Sequence, residues 1–232
     1  MGNANREEFL DFLAQKAKRP RHQLHEHPFQ PLNDLPETTL SGKSQDELLE
    51  IAQKNSEAVK VDFKKVTTEN LGKLLDEYIA AKKIKNLILP TTDKWNEFNL
   101  DKWQKEQAAT YWQPQAAREV NIKTAQSADG AVGFADYLLA ESGTITVATT
   151  AGQGRAFNFL PTHYLSIIKK SDIVPRTRQA MDKYDSDIKN GVLSTSNINF
   201  ITGPSNSGDI EMVLVVGVHG PLDMTYVVVE DL

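Results

Sequence analysis

Three stretches in the C-terminal half gather residues that hold anions and move protons. The first runs from Ala140-Glu-Ser-Gly-Thr-Ile to Thr149-Thr-Ala-Gly-Gln-Gly-Arg155. Gly152 and Gly154 let backbone approach a ligand, and Arg155 supplies a planar fork suited to phosphate or carboxylate. Glu141, beside Gly143 and Thr144, is either a pocket carboxylate or a strand-end charge, just as Arg155 is either a ligand contact or a surface residue after a glycine turn. The second stretch is Gly203-Pro204-Ser205-Asn-Ser-Gly-Asp209, followed by Ile210 and Glu211, directly after the apolar run that ends at Thr202. Small polar residues here can turn several N–H groups inward as an anion nest, and Asp209 can cap a short helix whose N-terminus favours an anion. The same run can also be a turn with no ligand. The third is Gly217-Val-His219-Gly220-Pro221, a turn that offers His219 as acid, base or donor, or as a structural turn residue. His163, in Leu160-Pro-Thr-His163, has the same two readings. Glu141 and His219 are the candidate catalytic groups. Gly143, Thr144, Arg155, His163, Gly203, Pro204, Ser205, Asp209 and Glu211 are the candidate ligand-binding ones. Of these, Glu141, Gly143, Thr144, Arg155, Gly203, Ser205, Asp209, Glu211 and His219 are expected to gather along one edge of a sheet, because strand ends in a parallel sheet converge on one crevice.

Composition narrows the chemistry. The 232 residues contain no cysteine, which removes disulfides, thiolate nucleophiles and Cys-ligated zinc or iron–sulfur clusters from this chain. No metal site and no resident cofactor are expected. A net charge of −5 argues against nucleic acid or an anionic membrane as the main partner. No run of about 18 apolar residues is present, and Glu7, Glu8 and Asp11 interrupt the start of the chain, so a cytoplasmic location is expected. There is no G-x-S-x-G elbow, P-loop, H-E-x-x-H or G-x-G-x-x-G pattern. His22, His25 and His27 cluster in a Pro-rich stretch that reads as a solvated tract.

The elements that must position these groups follow from periodicity. Phe9, Leu10, Leu13 and Ala17 predict an amphipathic helix from Asn5 to Lys18. Residues 19–43 carry four prolines and read as an extended arm, with Ser41 or Ser44 capping a helix from Gln45 to Val59. The expected domains are therefore an N-terminal helix and arm over 1–43, which can pack on a neighbouring subunit of a homo-oligomer or stay a tail, and an α/β domain over 44–232. Helix and strand alternate through Phe63–Val66, a helix from Thr68, and Asn86–Pro90, which predicts a mainly parallel sheet flanked by helices. A helical excursion and an extended segment, Thr110–Gln113, follow. Trp95, Trp103 and Trp112 there are either core or pocket lining. From Ser127 the pattern is strand-rich: Ala131–Leu139, Gly143–Thr149, Tyr164–Lys169, Asn197–Thr202, Met212–Val216 and Met224–Val229. A polar helix from Arg176 to Asn190 ends at Gly191.

Taken in order, Ala140-Glu-Ser-Gly-Thr-Ile, Gly154-Arg155, Leu160-Pro-Thr-His163, Gly203-Pro-Ser followed by Asp209-Ile-Glu211, and Gly217-Val-His-Gly-Pro221 resemble the motifs of the lactate utilization protein C (LutC/YkgG) family of LUD-domain proteins. The likeness covers roughly Ser127 to Leu232. It departs at Asn206-Ser207-Gly208, where the family commonly has Arg-Thr-Ala, and Arg155 or Arg118 would have to replace that arginine.

The resemblance implies a NagB/RpiA/CoA transferase-like α/β fold. It also implies oxidation of L-lactate to pyruvate beside iron–sulfur partner proteins, LutA-like and LutB-like, with this chain as the non-redox subunit. The ligand would be a small anion, lactate or a phosphate-containing molecule. Two other functions remain open: a stand-alone enzyme of the sugar-phosphate isomerase or CoA transferase type using Glu141 and the glycine loops, and a non-catalytic assembly module.

Overall fold

A computed structural model describes residues 3–21, 30–195, 197–208, 214–217 and 219–232. Asp209, Glu211, His22, His25 and His27, all named above, lie outside the described residues. The chain divides into two compact units, Met1–Leu35 and Pro36–Leu232. The first carries helix α1 (Asn3–Lys16), whose Phe9, Phe12 and Leu13 are exposed. A short helix, α2 (Leu35–Thr38), interrupts the stretch expected to be extended throughout.

The second unit, which takes in all of α2 but Leu35, continues with α3 (Gln45–Ala58). Ser44 caps it in a reciprocal pair with Glu47, whose carboxylate accepts from the Ser44 backbone and from Lys43 and is held down at about 2. Then come β1 (Asp62–Val66), α4 (Thr68–Ala81), β2 (Leu87–Leu89), α5 (Lys94–Glu97), α6 (Asp101–Glu106), β3 (Ala109–Tyr111), α7 (Arg118–Gln126) and β4 (Gly130–Phe134). The strand-rich half supplies β5 (Tyr137–Leu139), β6 (Thr144–Ala148), α8 (Arg155–Phe159), β7 (His163–Lys169), β8 (Ile173–Val174), α9 (Thr177–Lys189), β9 (Ile198–Ile201), β10 (Asn206–Gly208), β11 (Leu214–Val216) and β12 (Asp223–Val229).

The expected parallel sheet is present. Its strand order is β1-β12-β7-β4-β2-β3, and every neighbouring pair in it is parallel. Such strands are buried on both faces and read as largely apolar runs, as Tyr164–Ile168 and Met224–Val229 do, with Ser166 and Thr225 the buried polar interruptions. On one face, Val132, Phe134, Leu165, Ile167, Val227 and Val229 meet Leu71 and Leu75 of α4, together with Trp95 and Trp103. On the other, Ala131, Tyr164, Ile168, Tyr226 and Val228 meet α3, Phe157 of α8 and a second, mixed sheet of order β8-β5-β6-β9. Helix α9 covers the outer side of that second sheet through Ala180 and Tyr184.

Two expectations need correction. The run Ala131–Leu139 is not one strand: it changes sheet at Ala135-Asp136. The Ala135 amide still donates to Ile167 of the parallel sheet, whereas that of Asp136 donates to Thr146 of the second. Asp136 anchors the crossing, since its carboxylate accepts from the Ala148 amide, Lys94 and Tyr184. Likewise Asn206–Gly208 is not loop but strand, paired antiparallel with Leu214–Val216.

Candidate anion-binding cleft

The cleft is built where β3 and β6 hand the chain on to α7 and α8. Beyond β3, the Trp112 amide donates to Leu89 O, which prolongs the pairing with β2 by one bond (2.9 Å). Its carbonyl accepts from Thr91 Oγ1 (2.6 Å), and its indole Nε1 donates to Ala151 O (3.1 Å). Asn121 of α7 closes the turn between them, accepting from the Gln113 amide (3.0 Å) and donating to its carbonyl (2.8 Å).

The loop after β6 is fixed from below. Gln153 is buried and pairs through its side-chain amide with both backbone groups of Phe134. It also donates to Asn158 Oδ1, which the buried Tyr164 hydroxyl approaches at 3.2 Å. Burial pushes the Tyr164 phenol up, so it serves as a neutral donor. Gly152 stands so close to Thr91 that a Cβ would overlap the Thr91 carbonyl oxygen.

Between α7, α8 and this loop lies a cleft of about 750 Å³. Trp112, Pro114, Ile122, Ala151, Phe159 and Leu160 form its apolar walls. Arg118, Asn121, Thr149, Thr150, Arg155 and His219 bring polar groups to it. Among the described residues no carboxylate lines it, and neither Arg118 nor Arg155 has an acidic partner. The Arg155 guanidinium carbon lies 5.5 Å from the centroid of the Phe159 ring, one turn further along α8. That contact orients the fork without neutralising it.

A smaller hollow of about 250 Å³ adjoins the cleft and shares Phe159 and His219 with it. Gly203, Pro204, Ser205, Gly220 and Pro221 line this hollow. In the described part of the loop, the Gly203 and Ser205 amides are not free to form an open nest, because they already have protein acceptors. Gly203 N–H donates to the Tyr226 hydroxyl, Ser205 N–H to Pro221 O, and His219 N–H to Ser205 Oγ (3.3 Å). These bonds clamp the second and third stretches to each other.

The sequence candidates therefore divide. Arg155 and His219 line the cleft, and Gly203, Pro204 and Ser205 line the adjoining hollow. Thr144 reaches the hollow's edge through a hydroxyl contact with Thr202 (2.8 Å). Glu141 and Gly143 line neither. Glu141 accepts from Arg176 Nε (2.5 Å), and Gly143, at φ +65°, packs on the backbone of Asn55 and Ser56 in α3. They sit at the opposite end of β6 from Thr149, and a five-residue strand spans roughly 16 Å. His163 is more distant still in role. It starts β7, where Nδ1 meets Asp223 Oδ2 (2.8 Å), which also accepts from Lys82 (2.9 Å).

The expected single crevice at the strand ends is thus replaced by a cleft between α7 and α8, beside the sheet. Phe159 and Asn121 escaped the sequence reading, whereas Trp112 is one of the three tryptophans that it offers as core or pocket lining. The spacing of Arg155 and Phe159, four residues apart, was the one available signal. All three tryptophans are buried: Trp95 and Trp103 in the core on one face of the parallel sheet, and Trp112 in the core on the other face, where it also lines the cleft.

This architecture defines an α/β protein with a cationic, largely apolar cleft beside a parallel sheet. The model of the LUD domain family matches residues 49–229. Lactate utilization protein C of Geobacillus kaustophilus is 41% identical, with 98% of this chain and 97% of that protein covered. The protein of the same name from Oceanobacillus iheyensis is 36% identical over 97% of this chain and 98% of its own. The chain belongs to the LUD domain family and, within it, to the lactate utilization protein C group. A crystal structure of a DUF162 family protein from Deinococcus radiodurans shares the fold at 17% identity, with a TM-score of 0.57 over 81% of this chain and 99% of that one.

Proposed function

We propose that this chain works in lactate utilization as the cluster-free component of a system that oxidises L-lactate to pyruvate with iron–sulfur partners, and that it holds an anionic ligand in the cleft between α7 and α8. The names of its relatives support the process. The absence of cysteine from the chain means that any thiolate-held cluster belongs to another subunit.

The ligand reading rests on one observation: Arg118 and Arg155 both face an apolar cleft that contains no carboxylate among the described residues. Unpaired guanidinium groups beside low-dielectric walls attract anions more strongly than the same groups in open water. Helix α7 adds to this, because it begins at the cleft with Ala117 as a cap that offers no side-chain acceptor. His219 and Ser205 sit where they can donate to a ligand's hydroxyl or carboxylate oxygens.

The test is complementation of a strain lacking this gene for growth on L-lactate, with wild type, Arg155→Ala and the double variant Arg118→Ala/Arg155→Ala. Both arginines are exposed, so the variants should fold, which circular dichroism checks. Each lost charged hydrogen bond should weaken ligand binding by about 1.5–3 kcal/mol, and the double variant should fail to restore growth. Full restoration by the folded double variant would overturn the cleft's role. Failure of wild-type protein to co-purify with cysteine-rich iron–sulfur proteins would overturn the subunit role.

A further inference from the structure

We propose that the cleft takes a phosphate ester carrying an aromatic ring system, the chemistry of a nucleotide, rather than free lactate. This rests on the reading of the cleft as the ligand site and narrows the ligand class.

Size is the first argument. A space of about 750 Å³ falls in the range that encloses a drug-sized molecule. Lactate has only a handful of non-hydrogen atoms and would leave most of the apolar wall against water. Charge is the second. A monocarboxylate needs one fork, whereas Arg118 and Arg155 present two, on α7 and α8 respectively, with His219 beside them. Two guanidinium groups with no acidic partner among the described residues match the charge and the several acceptor oxygens of a phosphate monoester or diphosphate.

The wall chemistry is the third. Trp112 is held edge and face: its Nε1 is tied to Ala151 O, and its ring packs against Gly154. It cannot swing to fill the cleft. Phe159, Leu160, Ile122 and Pro114 complete a rigid apolar surface. Such a surface gains nothing from a small polar anion and favours a flat ring. The phosphate would lie between the two arginines, and the ring along Trp112 and Phe159.

The experiment is equilibrium binding to the full chain by calorimetry, with flavin mononucleotide, adenosine 5′-diphosphate, inorganic phosphate and L-lactate as probes. At least one nucleotide should bind tenfold or more tightly than both phosphate and lactate. Arg155→Ala should weaken nucleotide and phosphate alike, by roughly tenfold or more. Phe159→Ala removes the ring and also the contact that orients Arg155, so it should weaken the nucleotide by a larger factor than it weakens phosphate. Raising salt should weaken wild type more than Arg118→Ala/Arg155→Ala.

Phosphate or lactate binding as tightly as every nucleotide, with dependence on the arginines, would overturn this inference and leave the anion-binding reading standing. No binding of any probe would overturn both. Nucleotide binding that survives the double arginine variant would place the ligand elsewhere and overturn the inference.

Discussion

Gly154 lies against the indole of Trp112 so closely that a Cβ on the glycine would overlap the ring at Cζ2. The loop from β6 and the segment from β3 are thus fitted to each other at the one residue type that leaves room. The ring cannot retreat, since its Nε1 is bonded to Ala151 O and it meets Phe157 edge-on at 6.3 Å. Gly154→Ala should therefore cost about 1–3 kcal/mol of stability by overpacking and should alter tryptophan fluorescence. Gly152→Ala should cost more, because the atom in the way is the Thr91 carbonyl oxygen, part of the backbone. Thermal melts that leave either variant at the wild-type midpoint would contradict the close fit.

Asp136 holds the crossing between the two sheets. It accepts from Ala148 N (2.7 Å), Lys94 Nζ (2.7 Å) and Tyr184 Oη (2.9 Å). Asp136→Ala leaves a backbone amide, a cation and a buried phenol without their acceptor, at an expected cost of about 2–4 kcal/mol. Tyr184→Phe should cost less, because Lys94 and Ala148 keep their partner. Urea unfolding of both variants, compared at equal slope, checks the order.

Acid should remove part of the stability through Asp129. Its carboxylate accepts the amides of Lys85 and Asn86 at 3.0 and 2.8 Å, and those bonds hold its pKa below the ordinary 3.8. A folded pKa below the unfolded one contributes stability that is present above 3.8 and is lost as pH falls through the folded value. Asp231, bonded to the Thr68 amide and hydroxyl, behaves the same way. Asp172 has the opposite sign: burial raises its pKa, so its charged form costs stability that is recovered as pH falls. The stability gap between wild type and Asp129→Asn should therefore shrink below pH 3.8. A gap that stays constant from neutral pH to pH 3 would refute the assignment.

Glu141 was a candidate proton-transfer group, yet its partner is Arg176 and it lies outside the cleft lining. Glu141→Gln should leave cleft binding of any anion unchanged. It should shift stability by no more than about 1 kcal/mol, as expected for a partly exposed ion pair. A tenfold loss of anion affinity in a folded Glu141→Gln protein would return the residue to the site.

The sequence by itself determined the family and most element types, but not the short helix α2, the break between β4 and β5, or the strand β10. Short, largely apolar runs such as Tyr164–Ile168 and Met224–Val229 read as strands buried on both faces, and the Ser44–Glu47 pair marks a helix start through local bonds alone. The Gly-Pro-Ser and His-Gly-Pro stretches were legible as one unit of the family's pattern, and the structure clamps them together through Ser205. What the sequence could not decide was which end of each strand faces the cleft. Glu141 and Arg155 flank opposite ends of the same strand, so its length keeps them apart, but which end meets the cleft depends on how β6 pairs in a second sheet. Nor could composition tell that the amides of the Gly203–Ser205 loop would already be bonded to Tyr226 and Pro221. Trp112, just past β3, is buried in one core and lines the cleft, while Trp95 and Trp103 are buried in the other, and only the pairing of the strands decides that. Local propensity fixes elements, but the contents of a cleft are set by contacts between residues far apart in the chain, here Gly154 with Trp112 and Ser205 with His219.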